Sequence, residues 1–330
     1  MSLTRRAIIP AGAGLLASPA VIRSALAAPR HTLRMVYPDT PQHPFMAVGR
    51  RFAENVKNKT NGDVEVQVFT TGQLGTQVNM LTGMQTGIID LCAHTSGFID
   101  TLFPKFMVMD LPFLFPDSAS AERVLDGPVG QQLLSEFPTK GIYGLSYGYF
   151  GWRVVSTIGR PMPTPDLMRG LKIRVQPGAI FAAMFRTLQA TPIQVDISEV
   201  YLALSQRAIE AVETPMISLE ATKHDEVVRT VNLTNHVYNA CAMMASKRKL
   251  DSLDRRYQDA IRAAALEMTP DWRQTLATAT QETQGRLAAK GLEISQVDRA
   301  AYRAALQPVY DEYRNIVGAP LMDAVLSQVA

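Results

Sequence analysis

Apolar positions along the chain recur by turns at spacing two and at spacing three to four. Residues 32–37 read as a strand. Phe45, Val48, Phe52 and Val56 share one face of a helix that ends before Asn61-Gly62. Val64, Val66 and Val68 alternate with Glu65 and Gln67, the pattern of a half-buried strand. A second helix is predicted around residues 77–85, and residues 88–93 read as a buried strand. This rhythm predicts a parallel sheet covered by helices. Asp110-Leu111-Pro112-Phe113-Leu114-Phe115-Pro116 is predicted as a rigid loop, because its prolines prevent regular pairing. A helix at 118–136 and a strand at 142–149 complete this first series.

A second α/β series begins near Arg153. Strands are predicted at 154–157 and 171–175, and helices at 179–188 and 198–206, the latter capped by Ser198. Residues 211–213 and 241–245 read as further strands. From 252 to 289 the pattern is helical, broken at Thr269-Pro270-Asp271, where a cap, a proline and an acid follow one another. The chain is mostly helical again from Asp298. A length of 330 residues favours two lobes over one core.

Charge alters this picture only at the N-terminus. Residues 1–27 hold Arg5, Arg6 and Arg23 and no acid, then an apolar run, then Ala25-Leu26-Ala27, an A-x-A cleavage pattern. These features predict an export leader; Arg5-Arg6 leaves the twin-arginine route open beside the general one. Without the leader's three arginines, the 33 basic residues fall to 30, equal to the 30 acidic ones. A neutral mature chain gives no reason to expect nucleic acid or an anionic membrane as partner. No later segment is long and apolar enough for a membrane span. Cys92 and Cys241 lie in apolar runs and read equally as free thiols or as an exported pair. The five histidines are scattered, and no metal, phosphate-loop or nucleophile-elbow spacing occurs, so neither metal nor cofactor is expected. Met80, Met84, Met107, Met109, Met243 and Met244 fall at periodic positions and read as core.

The chemistry rests on two arginines. In Gly170-Leu171-Lys172-Ile173-Arg174-Val175 a strand points a lone arginine inward. A guanidinium is permanently charged, and its planar fork fits a carboxylate in two parallel hydrogen bonds. Arg153 sits in a similar run, Trp152-Arg153-Val154-Val155. If both face the cleft of two α/β lobes, beyond the carboxyl ends of the strands, the chain holds a small organic acid. The alternative is that each pairs with a structural Asp or Glu.

Several segments together resemble the periplasmic solute-binding components of tripartite ATP-independent periplasmic (TRAP) transporters, the DctP type. They are Gly72-Gln73-Leu74-Gly75, Gly87-Ile88-Ile89-Asp90, Asp110-Leu111-Pro112-Phe113-Leu114-Phe115 and Met168-Arg169-Gly170-Leu171-Lys172-Ile173-Arg174. Ser198-Glu199-Val200-Tyr201-Leu202-Ala203-Leu204, Ala211-Val212-Glu213-Thr214-Pro215 and Thr234-Asn235-His236 follow in the family order. The resemblance implies a periplasmic-binding-protein-like α/β fold: two lobes of mixed sheet flanked by helices, an interlobe cleft, hinge strands and long C-terminal helices. The expected division is residues 28–150 plus about 240–278 for the first lobe, and 151–239 plus about 279–330 for the second. It also implies a monomeric, non-enzymatic periplasmic receptor that delivers a small carboxylate to membrane permease subunits. A ligand-sensing protein docking on a sensor, and a periplasmic enzyme acting on organic acids, are the other readings.

The family's carboxylate-binding arginine falls on Arg174, and a second ligand-side arginine on Arg153. Where many members carry Asn, this chain has Thr214, which lacks the two-ended amide. Ile197 comes from another segment that faces the ligand in the family. His94 stands just past a strand, where a sheet presents side chains to the cleft. Trp152 and Tyr149, with Phe150, are candidates to wall the pocket. Gln77 with Asn79, and Tyr37 with His43, complete the candidates.

Overall fold

The computed structural model describes residues 28–37, 39–70 and 73–329. The expected leader lies outside them. β1 (His31–Tyr37), α1 (Phe45–Lys59), β2 (Val64–Thr70), a 3-10 turn at Gln77–Asn79, α2 (Met80–Thr86) and β3 (Leu91–Thr95) make the first parallel unit. β3 starts later than its apolar run predicts. Gly87 takes φ +82° to end α2, the amides of Ile88 and Ile89 both close on the Gly83 carbonyl, and Ile88 is 52% exposed. After α3 (Ser96–Ile99) and a 3-10 segment at Pro104–Asp110, the expected single helix is two, α4 (Ser118–Asp126) and α5 (Pro128–Glu136). Gly127 and the proline that opens α5 separate them.

β4 (Ile142–Thr157) is one 16-residue strand. Next come β5 (Lys172–Val175), α6 (Ala179–Thr187), β6 (Thr191–Gln194), α7 (Ile197–Ser205), β7 (Ala211–Pro215) and α8 (Met216–Ala221). The Asp196 carboxylate, not Ser198, caps α7, accepting from the Ser198 amide at 3.0 Å. β8 (Thr230–Ser246) has 17 residues, far beyond the predicted 241–245. α9 (Lys247–Asp251), α10 (Arg255–Glu267), α11 (Thr269–Ala289), β9 (Glu293–Ser295), α12 (Arg299–Ala305), α13 (Gln307–Val317) and α14 (Ala319–Val329) complete the chain.

The sheet runs β2-β1-β3-β8-β4-β7-β5-β6, with β9 on β8. β4 and β8 are antiparallel and belong to both lobes: Ile142 pairs with Ser246 beside the first unit, Thr157 with Thr230 beside the second. Their register slips between Tyr149 and Trp152 and between Arg153 and Val155, where the pair passes from one lobe to the other. Such bulges bend a strand pair. Gly151, inside the first slip, has φ +124°, and a Cβ there would lie 2.6 Å from the Pro215 Cβ, so only glycine fits.

One apolar core joins α1 and the start of α11 through Phe45, Phe52 and Trp272, and continues to α6 and α13. A second unites Val154, Val200, Leu204, Val212, Leu219, Val231 and Leu287. α11 therefore reaches from Trp272 in one core to Leu287 in the other. α14 packs on α4 and α5. Both cysteines are buried and free, on the adjacent strands β3 and β8.

Candidate functional site

A narrow cleft opens where β4 and β8 change lobes. Asp39, Gln77, Thr95 and Phe98 line it from the first lobe. Arg174, Gln176, Ile197, Thr214, Pro215 and Ser218 line it from the second. Phe150, Arg153 and Asn239 come from the crossing strands.

Arg174 lies on β5 and is 2% exposed. Its Nε donates to the Val195 carbonyl at 3.1 Å. Among the described residues no carboxylate pairs with its two terminal nitrogens. Burial brings the guanidinium down to about 10, against the pull of Glu213, so it stays charged at neutral pH. A buried charge of this kind, facing a cleft, is costly until an anion arrives.

Arg153 is as buried, and it is fully engaged. Its Nε and one terminal nitrogen grip the Glu213 carboxylate, the latter at 2.8 Å, and the same nitrogen reaches the Glu213 carbonyl at 2.9 Å. Burial alone would raise the Glu213 carboxyl; Arg153 overrides that and holds it at about 2. Gln176 accepts from Arg153 at 3.3 Å and donates its amide to Glu213 at 3.1 Å, which leaves its Nε2 without a partner. Asn239 is fully buried, and neither end of its side-chain amide has a partner.

Asp39 presents an acid to the same space. Its Oδ1 accepts from the Thr40 amide at 2.7 Å, and its Oδ2 from Ser218 Oγ at 3.2 Å, across the lobes. His43 Nε2 stands 3.7 Å from it. Burial lowers the His43 pKa, and His43 Nδ1 accepts from the Phe45 amide at 3.1 Å, so the ring is neutral with its proton on Nε2.

Of the expected residues, the structure brings Arg174, Arg153, Thr214, Gln77, Ile197 and Phe150 to the cleft. His94, Trp152, Tyr149, Tyr37, His43 and Asn79 do not line it. His94 lies behind it: Nδ1 accepts from the Thr95 amide at 2.9 Å, Nε2 is 3.0 Å from the Gln77 carbonyl, and the ring stacks on Phe98. Burial takes His94 down to about 4, so it is neutral and braces three lining residues. Trp152 Nε1 donates to Ser118 at 3.2 Å. Tyr149 stacks on Tyr238 and accepts from the Trp152 amide at 2.8 Å. Tyr37 packs edge-on against Phe45 in the core.

Sequence reasoning passed over Asp39, Thr95, Phe98, Gln176, Pro215, Ser218 and Asn239. Two carried a signal. Gln176 follows Arg174 by two along a strand and so shares its face. Asn239 interrupts the apolar run Val237-Tyr238-Asn239-Ala240-Cys241-Ala242, where a buried amide needs a reason.

The sequence of the Escherichia coli 2,3-diketo-L-gulonate-binding periplasmic protein is 32% identical over 92% of this chain and 93% of that protein. The C4-dicarboxylate-binding periplasmic protein of Rhodobacter capsulatus is 30% identical over 96% and 92% of the two chains. The structure of a sugar-acid-binding protein from Advenella mimigardefordensis, solved with galactonate, superposes with TM-score 0.88 at 27% identity, over 92% of this chain and 98% of that one. The DctP family model, bacterial extracellular solute-binding protein family 7, matches residues 35–315. The chain belongs to the DctP family of solute-binding proteins.

Proposed function

We propose that this protein is the receptor of a TRAP transporter. It captures a small organic acid in the interlobe cleft and passes it to an ion-gradient-driven membrane permease. Arg174 carries the reading: a buried, charged guanidinium that faces the cleft with its terminal nitrogens free of any carboxylate. Its fork receives the ligand carboxylate, while Gln77, Gln176, Thr214 and Asn239 read the remainder. Ligand favours the closed arrangement through the contacts that it completes between lobes. The relatives named for carboxylate ligands support this reading. The protein works in the periplasm after removal of its leader.

The cleft argues against hydrolysis. Ser218 Oγ lies 3.5 Å from His43 Nε2, yet that nitrogen carries the ring proton and faces Asp39. It has no lone pair for the serine proton, so the trio does not make a nucleophile.

A thermal-shift screen of the mature chain, unfolded and refolded to strip ligand, against carboxylic acids tests the proposal. Ligand at 100 times its dissociation constant adds roughly 2.7 kcal/mol of stability. A rise confined to one chemical group of acids supports the reading. A flat response from folded protein overturns it.

A further inference from the structure

We infer that Asp39 makes the cleft selective for hydroxylated monocarboxylates and turns dicarboxylates away. The inference rests on the carboxylate-receptor reading and narrows it.

The charges that meet the cleft are few. Arg174 is positive and unpaired. Arg153 is positive, but Glu213 is bound to it on two sides. Asp39 is negative, and the nearby basic group is the neutral ring of His43. Serine and backbone donors satisfy one lone pair on each Asp39 oxygen without supplying charge. Among the described residues the empty cleft is thus close to balanced: one free cation opposite one free anion. A single carboxylate answers Arg174. A second has no cation left to meet and must share a low-dielectric space with Asp39, a repulsive element of the kind that sets specificity.

The remaining polar atoms ask for hydroxyl groups. Each Asp39 oxygen keeps a free lone pair for an O–H donor. Asn239 offers a donor and an acceptor, and Gln176 Nε2 a donor, all buried and unpartnered. An acid without hydroxyls leaves these groups unpaired, and a site built for hydroxyls rejects such analogues strongly. The first-lobe position of Asp39 and the second-lobe position of Arg174 place the two ends of the acid against different lobes.

Two matched pairs test this by calorimetry on the ligand-stripped mature chain: D-erythronate against meso-tartrate, and D-galactonate against galactarate. Within each pair only the terminal CH₂OH and carboxylate differ. Butyrate and succinate supply the forms without hydroxyls. We expect a monocarboxylate member to bind about a hundredfold tighter than its dicarboxylate partner, and butyrate to bind weakly or not at all. Asp39→Asn keeps the acceptor for Thr40 and removes the charge; it should narrow that ratio at least about tenfold by tightening the dicarboxylate.

Equal or preferred binding of the dicarboxylates by the unaltered protein overturns the inference, and so does tight binding of butyrate or succinate. If none of the six acids binds, the inference is overturned. The receptor reading is then judged separately, by Arg174→Ala against whichever acid the thermal screen returns.

Discussion

Arg153 and Arg174 are equally buried, both stand in the cleft, and each is the one arginine of its strand. They differ in one respect. Glu213 from β7 meets Arg153, and among the described residues no acid pairs with Arg174. The first arginine is tied to Glu213 at the crossing strands; in the proposed reading the second awaits the ligand's carboxylate. Burial is the same for the two, so the difference in pairing lies in what the neighbouring strand supplies.

The contrast is sharpest in stability. Arg153→Ala leaves Glu213 buried and unpaired, which should cost about 3–5 kcal/mol. The double replacement Arg153→Met with Glu213→Leu should recover most of that loss, because no charge is then stranded. Urea unfolding of the mature chain measures both. A loss below about 1 kcal/mol for Arg153→Ala would erase the distinction.

Affinity should respond in the opposite way. Arg174→Ala removes a charged hydrogen-bonding partner worth about 1.5–3 kcal/mol, a ten- to hundredfold loss of ligand binding. The empty protein should be no less stable, since an uncompensated buried charge has gone. Arg174→Lys keeps the charge but not the fork, and should recover only part of the affinity. A variant that binds normally but unfolds early would show that Arg174 is structural after all.

The two arginines also show how far the sequence could be read. β1, α1 and β2 appear within a residue or two of their predicted bounds, because one face of each is buried and the other wet. β4 and β8 were legible only in pieces. Where they cross the cleft they carry Gly148 and Gly151, or Asn235, His236 and Asn239, and these break the apolar pattern of a buried strand. At the site, the errors follow the pleat. Trp152 adjoins Arg153, His94 adjoins Thr95 and Tyr149 adjoins Phe150, yet successive side chains of a strand face opposite ways. In each pair the second residue reaches the cleft and the first packs behind it; Arg153 and Phe150 were expected there along with their neighbours, and Thr95 was not. Whether an arginine finds an acid depends on strand order, and no short-range pattern records that β7 lies between β4 and β5.

A second pair of environments extends the comparison to carboxyl groups. Glu213 has its cation and titrates at about 2. Asp100 and Asp110 are buried with oxygens that find no partner. Burial, then its Asp110 neighbour, raises Asp100 to about 9; burial raises Asp110 to about 7 against the Ser96 hydrogen bond and Arg153. The signs are opposite. Stability from Glu213 is present above the ordinary carboxyl value and is lost as pH falls toward 2. For Asp100 and Asp110 the folded state holds protons that the unfolded chain has released, so stability falls as pH rises from about 4 toward 9. Asp100→Asn mimics the protonated form. It should match the wild type near pH 4 and exceed it by at least about 1 kcal/mol at pH 8, read from urea midpoints at the two pH values. Parallel pH profiles for the two proteins would mean that Asp100 titrates as an ordinary acid.

The smallest expected effect tests where the reach of Arg174 ends. Thr214 sits opposite Val154 in the β4–β7 ladder, one residue after Glu213, and lines the cleft that Arg174 faces. Thr214→Val keeps the β-branched shape that suits the strand and removes only the hydroxyl. If that hydroxyl donates to ligand, the loss is one neutral hydrogen bond, about 1 kcal/mol, or roughly fivefold in affinity. The unfolding midpoint should not move, because the ladder and the packing are preserved. An unchanged affinity would mean that Arg174, Gln176 and Asn239 read the acid without Thr214, and that β7 serves the cleft only through the carboxylate it lends to Arg153. A loss as large as that of Arg174→Ala would mean instead that the hydroxyl orients the guanidinium, and the free arginine would then have a partner of its own.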